Sequence, residues 1–535
     1  MNVYIKFLSF FYKKKDFDTV WNSKGWHLSL LFLILSLPFF LSFLQNTSFP
    51  LLVLVFLFFA FLVMAILSPR SVFVLMIASA SFEIINLLPQ EWGFSLRPYQ
   101  FLAGIIFLGL CIRNGYSFAR QMHWNFSHIH FIDIGIILIV FGGFLSSFFS
   151  DFFVESIRLS IILLSFAFLY VLVRVFLKST KDIVLVMPYM IASFVSTALY
   201  ALIQNASFLH GMAWHKEIMP GRPNAFFSEP DWLGFYTALF LFVLWFLFFS
   251  TEKKKHGQRD RIVILIPLWI ASSFGFMTLI ITVSRSAWLG LFFGLSFLVV
   301  WSIWKQKKQS IGKIIFLILS FFVAILYVLI LPLTTFELGN RAQSSISGLQ
   351  EITISCISKV DLPTQIDSKE ELIAYNCRHI NLEEIEGEKA SDRYITKIFR
   401  KDPNAEIRKD IWKKTKELIE KNFFFGIGWG GMSSAFGEGS RGEYFNASNL
   451  FLGIWLGSGI GGFIGLVMIF IYLGYFSIRS LFSKDRDTSK IGIGVLGTLV
   501  VVFVFNMFNS SEFLAVIWVW LGVVASLFLG REKRS

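Results

Sequence analysis

The chain has 535 residues; 55% are hydrophobic, only 16% are charged and 65 are phenylalanine. A soluble protein of this length carries about a quarter charged residues, so the composition excludes a water-soluble globule. The net charge of +13 is spread as short Lys/Arg clusters between apolar runs, not as one basic face, which argues against nucleic acid as a partner and matches the positive-inside pattern.

Residues 1–27 hold Lys13, Lys14 and Lys15 but no apolar core followed by a small-residue cleavage site. They read as a cytoplasmic segment, with the first apolar run retained as a helix. Apolar runs of about 18 to 25 residues cross a hydrocarbon core of about 30 Å, and at that depth they must be helical. Such runs fall near 28–45, 50–68, 71–88, 98–113, 130–149, 155–177, 183–204, 232–250, 262–283, 286–304, 314–333, 449–478, 491–508 and 513–530. The expected fold class is therefore an all-α polytopic membrane protein with about fourteen transmembrane helices. Spans 1–11 occupy 28–333, one large outer loop occupies 334–448 between spans 11 and 12, spans 12–14 occupy 449–530, and 531–535 form a cytoplasmic tail. One alternate set of connections carries Arg70, Arg113, Arg120, Arg174, Lys178, Lys181, the 253–261 cluster, Lys305 to Lys313, and Arg479 to Lys490, while the other set is poor in cations. An even number of spans with both termini cytoplasmic satisfies that alternation.

Two outer loops are long, 205–231 and 334–448. The second is too polar at its start to read as a domain, and 341–400 matches no recognised pattern. Its later part predicts a helix over about 404–422, started after Asp402-Pro403, with Ile407, Ile411, Leu418 and Ile419 at helical spacing and Arg408 and Trp412 on another face. Of three cysteines, Cys356 and Cys377 share this loop. An oxidising outer compartment lets them pair; the alternative is two free thiols. No metal-ligand cluster, phosphate-binding loop, dinucleotide fingerprint or serine-hydrolase elbow is present in the sequence.

The outer side carries cations against the prevailing bias: Arg97, Arg158, Arg222, Arg285 and Arg408. A charge at a membrane boundary is costly and marks a functional candidate, and guanidinium forks suit phosphate. The competing explanation is that each snorkels to headgroups or pairs with a nearby acid, as Arg222 would with Glu229.

Arg222 to Leu233 (RPNAFFSEPDWL), Thr282 to Ala287 (TVSRSA), Arg408 to Gly431 (RKDIWKKTKELIEKNFFFGIGWGG) and Ser448-Asn449 followed after nine residues by Gly459-Ile460-Gly461-Gly462 occur in that order along the chain. Together, over about 205–470, they resemble the bacterial O-antigen ligase and O-antigen polymerase superfamily. The resemblance implies a multi-pass protein of the bacterial cytoplasmic membrane. It implies a glycosyltransferase of lipopolysaccharide or other surface-polysaccharide synthesis, working on the periplasmic side without cofactor, metal or nucleotide sugar. The implied donor is a glycan on undecaprenyl pyrophosphate. The acceptor is lipid A–core for a ligase, or another lipid-linked unit for a polymerase.

A glycosyl pyrophosphate already carries a good leaving group, so the enzyme must hold it, neutralise its growing charge and place an acceptor hydroxyl. On this reading Arg285 and Arg408 act on the leaving group, with Glu229 and Ser448 as further catalytic candidates. Arg222, Arg158, Gly428, Gly430 and Asn449 bind substrate. Glycines 426, 428, 430 and 431 either donate backbone N–H groups or form a flexible re-entry loop. Where the ligases have a histidine proposed as base, this chain has Ser448, a poor base. Glu229, Glu438 or Glu443 replaces it, or the reaction needs little base, or ligase chemistry is lost; the serine favours a polymerase. A lipid-linked oligosaccharide flippase is the alternative function, although transporters usually bind near mid-membrane between inverted repeats and no repeat is visible. A non-catalytic scaffold is the third.

Overall fold

The computed structural model describes residues 24–44, 51–88, 95–114, 130–210, 219, 221–251, 258–331, 333, 348–380, 384–401, 403–437 and 446–532. The N-terminal residues 1–23, the tail 533–535, and the candidate acids Glu438 and Glu443 lie outside them. The first helices are α1 Lys24–Leu44, α2 Leu51–Leu67, α3 Pro69–Ala78, α4 Pro98–Asn114, α5 Phe131–Phe148, α6 Phe153–Phe176, α7 Thr180–Leu209, α8 Pro230–Ser250, α9 Gln258–Thr282, α10 Arg285–Gln306 and α11 Lys308–Ile330. After the inserted segment come β1 Leu349–Cys356, β2 Gln365–Ile366, β3 Cys377–His379, α12 Ile385–Ala390, β4 Tyr394–Lys401, α13 Pro403–Lys421 and α14 Gly431–Phe436. The long helices α15 Leu450–Leu481, α16 Arg486–Asn506 and α17 Ala515–Glu532 follow.

Among the described residues nine helices are long and apolar enough to cross a membrane, and five shorter apolar helices occupy the remaining expected positions. The protein is a polytopic helical membrane protein. Its outer surface is frankly apolar: Ile330, Leu329 and Phe322 on α11 are 69%, 67% and 62% exposed. Such a surface is stable against lipid, not water. Where helices meet, small residues let the backbones approach, as expected when lipid gives helices no hydrophobic reason to associate. On α5, a Cβ at Gly135 would lie 2.6 Å from the Gly465 carbonyl oxygen of α15, and one at Gly142 would strike the carbonyl of Ser458.

The third expected span is cut short. In place of a helix over 71–88, α3 ends in a 3-10 turn at Ser79–Ser81 and the chain turns irregular at Phe82. Glu83 explains the break, because a buried carboxylate must find donors. It accepts from Tyr99 Oη at 2.9 Å and from the N–H of Ala515, the first residue of α17, at 2.8 Å.

The large loop is not structureless, and there the all-α expectation fails. Residues 349–380 and 384–401 build a four-stranded sheet in the order β2-β4-β1-β3, with β1 antiparallel to both β3 and β4 and β2 parallel to β4. Ile352, Ile354 and Cys356 alternate inward from β1 onto Ile366, Leu372, Cys377 and Ile398, giving this unit its own core. The signal was a period of two confined to eight residues with polar flanks, too short to stand out in sequence.

Cys356 faces Cys377 across the β1–β3 ladder, and the two form a disulfide. The bond closes a 21-residue separation. Loop-closure entropy puts its stabilisation at about 3 kcal/mol. Cys356→Ser is expected to leave the membrane bundle intact while making 349–401 the first region cleaved in limited proteolysis; equal cleavage rates with and without reductant would refute this.

At one end of α8, Lys313 of α11 is buried and donates to the carbonyls of Phe249 and Thr251 at 2.6 and 2.9 Å and to Gln306 Oε1 at 2.9 Å. It satisfies carbonyls left open where α8 ends, and its charge suits a helix C-terminus. The other end of α8 carries the arginine motifs.

Candidate functional site

The motif segments share a backbone feature. Ala225, Val283 and Ser448 have φ of 47°, 54° and 49°, the left-handed region that a residue with a Cβ avoids. Each costs on the order of 1–3 kcal/mol and persists only where surrounding contacts over-determine it. All three contacts are visible. Gln204 of α7 accepts through Oε1 from the N–H groups of Asn224 and Ala225 at 3.2 and 2.8 Å. Asn446 Oδ1 accepts from Ser448 N at 2.8 Å. The Val283 turn is pressed by α8, where a Cβ at Gly234 would lie 2.6 Å from Ser284 Cβ.

Arg222 ties the first segment to the second. Its Nε donates to the Thr282 carbonyl at 2.9 Å, and its Nη2 lies 3.4 Å from Asp231 Oδ2. The partner acid is thus Asp231, not Glu229, which is the N-cap residue of α8 and makes no capping bond with its side chain. Arg222 is only 7% exposed. Its fork is occupied by protein groups.

Arg285 is the first residue of α10 and is exposed. Its N-cap, Ser284, gives the helix no side-chain cap. A cation at the positive end of a helix dipole works against the dipole, so the position collects positive potential and suits an anion.

Asn449 caps α15, accepting from the N–H groups of Phe451 and Leu452 at 2.9 and 3.2 Å, and its Nδ2 donates to the Met507 carbonyl at 3.1 Å. Arg408 lies with its guanidinium 5.7 Å from the centre of the Phe508 ring. It shares the packed face of α13 with Ile411, Thr415 and Ile419, while Ile407, expected on that face, is 43% exposed. The aromatic partner on another element decides the face. Asn509 Nδ2 donates to Ser286 Oγ at 2.9 Å. Three consecutive residues, 507 to 509, therefore touch the segments bearing Ser448, Arg408 and Arg285.

The glycine segment reaches the same connector through Trp429, whose ring meets Phe513 edge-on with centroids 5.1 Å apart. Its glycines serve close packing. Gly426 has φ 72°, and a Cβ there would strike the Leu456 carbonyl of α15. Gly459, φ 66°, kinks α15 and admits the Phe424 carbonyl, which accepts from Ile460 N at 3.1 Å. The Gly430 N–H donates to Ser156 Oγ at 3.0 Å, and a Cβ at Gly428 would lie 2.6 Å from that oxygen. Arg158, exposed on α6, stands two residues beyond Ser156.

The 507–514 connector was missed by sequence reasoning. Its signal was available: Asn506, Asn509, Ser510, Ser511 and Glu512 form a polar run with an acid between two apolar spans.

These features define a polytopic membrane protein with a strained, arginine-bearing end, covered in part by an amphipathic helix. Residues 270–470 match the family model described as O-antigen ligase. That match covers less than half of the chain and makes this stretch similar to the O-antigen ligase family. It spans the Arg285 turn, α13, the glycine segment and most of α15, and it leaves out Arg222 and the 507–514 connector. No curated protein matches the chain.

Proposed function

We propose that the protein is a glycosyltransferase that joins polyprenyl-pyrophosphate-linked glycan units at the face of the membrane away from the cytoplasm, acting as a polymerase. The observation that carries this reading is the meeting of the Arg285, Arg408 and Ser448 segments on residues 507–509. The site lies at one end of the bundle and not at mid-membrane, which favours an enzyme over a flippase. The buried Lys313 end, flanked by Lys305, is the cationic end that positive-inside topology keeps cytoplasmic.

In the proposed reaction the acceptor hydroxyl oxygen bonds to the anomeric carbon of the donor sugar as the bond to the pyrophosphate oxygen breaks. Polyprenyl pyrophosphate leaves with the electron pair. Arg285 and the first turn of α10 stabilise the charge that grows on it, and Arg408 adds a second cation. Arg222 binds no phosphate directly; it holds the Val283 turn so that Arg285 is presented. Ser448 and Asn449 hold the acceptor side against the connector.

The gene-deletion strain discriminates the readings. A polymerase requires a single repeat unit to remain on its carrier lipid, shown by mass spectrometry of extracted lipids. Long chains retained on the carrier would make the protein a ligase, and repeat units trapped only on the cytoplasmic side would make it a flippase.

A further inference from the structure

Glu512 sits in the connector that joins the motif segments. It is 5% exposed, and among the described residues its Oε2 has no hydrogen-bond partner. Its Oε1 faces the first turn of α15, 3.5 Å from where a Cβ on Gly453 would be. The hydroxyl of Ser510, also buried and without a partner among the described residues, lies 3.1 Å from that same point. Gly453 has no side chain, so Glu512 and Ser510 approach its backbone closely, and it follows Asn449, the α15 cap, by one helical turn. A carboxylate buried with an unused oxygen costs several kcal/mol, so it is not there for stability. Glu83, by contrast, has a donor on each oxygen.

Resting on the transferase reading above, we propose that Glu512 accepts the proton of the attacking acceptor hydroxyl, the task for which Ser448 is unsuited. As the hydroxyl oxygen bonds to the anomeric carbon, its proton passes to the Glu512 carboxylate, and the pair that held the anomeric carbon to pyrophosphate leaves with the carrier lipid. The protonated acid returns its proton to water after product departs. Burial pushes the Glu512 carboxyl up to about 7, with only its own backbone N–H pulling it down. Among the described residues, Gly453 from α15 and Ser510 from the connector lie beside its carboxyl and Trp518 of α17 donates to its backbone carbonyl at 2.8 Å; none of the three is charged. A base of this strength is ionised enough to work near neutrality, and it fails as pH falls below about 7.

The test uses the purified full chain in liposomes, with carrier-linked glycan extracted from the deletion strain as substrate. Glu512→Gln is expected to lower transfer by about 100-fold or more. Binding of undecaprenyl pyrophosphate alone should stay near the wild-type value, because Glu512 does not hold the leaving group. Glu512→Asp should retain part of the rate with the acid limb of its pH profile moved to lower pH. Full activity in Glu512→Gln, alongside an inactive Arg285→Ala, would remove Glu512 as base and leave the transferase reading standing. A wild-type protein that transfers nothing would overturn both. Should Glu512→Gln fail to fold, the Glu512→Asp profile decides, and an unmoved acid limb overturns the proposal.

Discussion

Arg285→Ala is expected to reduce glycan transfer by about 10²–10³-fold, the loss seen when one preorganised group is removed from a developing negative charge. The effect should fall on kcat, because the charge on the departing pyrophosphate is largest in the transition state. Arg285 is exposed at the start of α10, so the protein should fold and insert normally. Arg285→Lys keeps the charge but loses the planar fork, and should recover part of the rate. Arg408→Ala should cost less: its guanidinium is shared with the Phe508 ring, and α13 belongs to the covering loop rather than to the bundle. The measurement is transfer rate in proteoliposomes, read in parallel with polysaccharide ladders on gels. Ladders of normal length from Arg285→Ala would defeat the assignment.

Arg222→Ala is expected to fail for a different reason. Truncation leaves the carbonyl of buried Thr282, the last residue of α9, without its donor and Asp231 without its cation. Unmade bonds of this kind cost about 2–3 kcal/mol, less for Asp231 because its side chain is 30% exposed. The Val283 turn, itself strained, then loses one of the contacts that hold it. A lower melting temperature in detergent should accompany lost activity, whereas Arg285→Ala should lose activity alone. Arg222→Lys should not rescue, since an ammonium on a flexible stem does not reach Thr282 and Asp231 with one rigid fork. A wild-type melting temperature for Arg222→Ala would show that the tie is not structural and return Arg222 to the substrate-binding set.

The same contrast separates what was legible from what was not. Arg222, Arg285 and Arg408 were all legible as cations beside apolar runs, because such a charge is conspicuous whatever it does. Their division of labour was not, because it depends on which neighbour the fork meets. Glu229 looked like the partner of Arg222 by proximity in sequence; the extended entry into α8 puts Asp231 there instead. Glycines 428 and 430 looked like phosphate donors or a loose loop. They are wedged against Ser150 and Ser156, a contact that spans more than 270 residues. Glu512 was passed over because a short polar connector resembles any other until its neighbours are known.

The sequence by itself determined that the chain lies in a membrane, where its apolar helices fall, and which segments resemble the O-antigen ligase and polymerase superfamily. It could do so because lipid forces each spanning run to satisfy its own backbone, a demand met within one stretch of chain. Tertiary structure alone decided that residues 507–509 join three distant motifs, that Arg222 is spent internally, that 349–380 and 384–401 fold as a sheet and that Glu512 is buried with an oxygen to spare. Those outcomes depend on which side chains and carbonyls come within about 3 Å of each other across the bundle, and that distance is fixed by helix packing, not by local pattern.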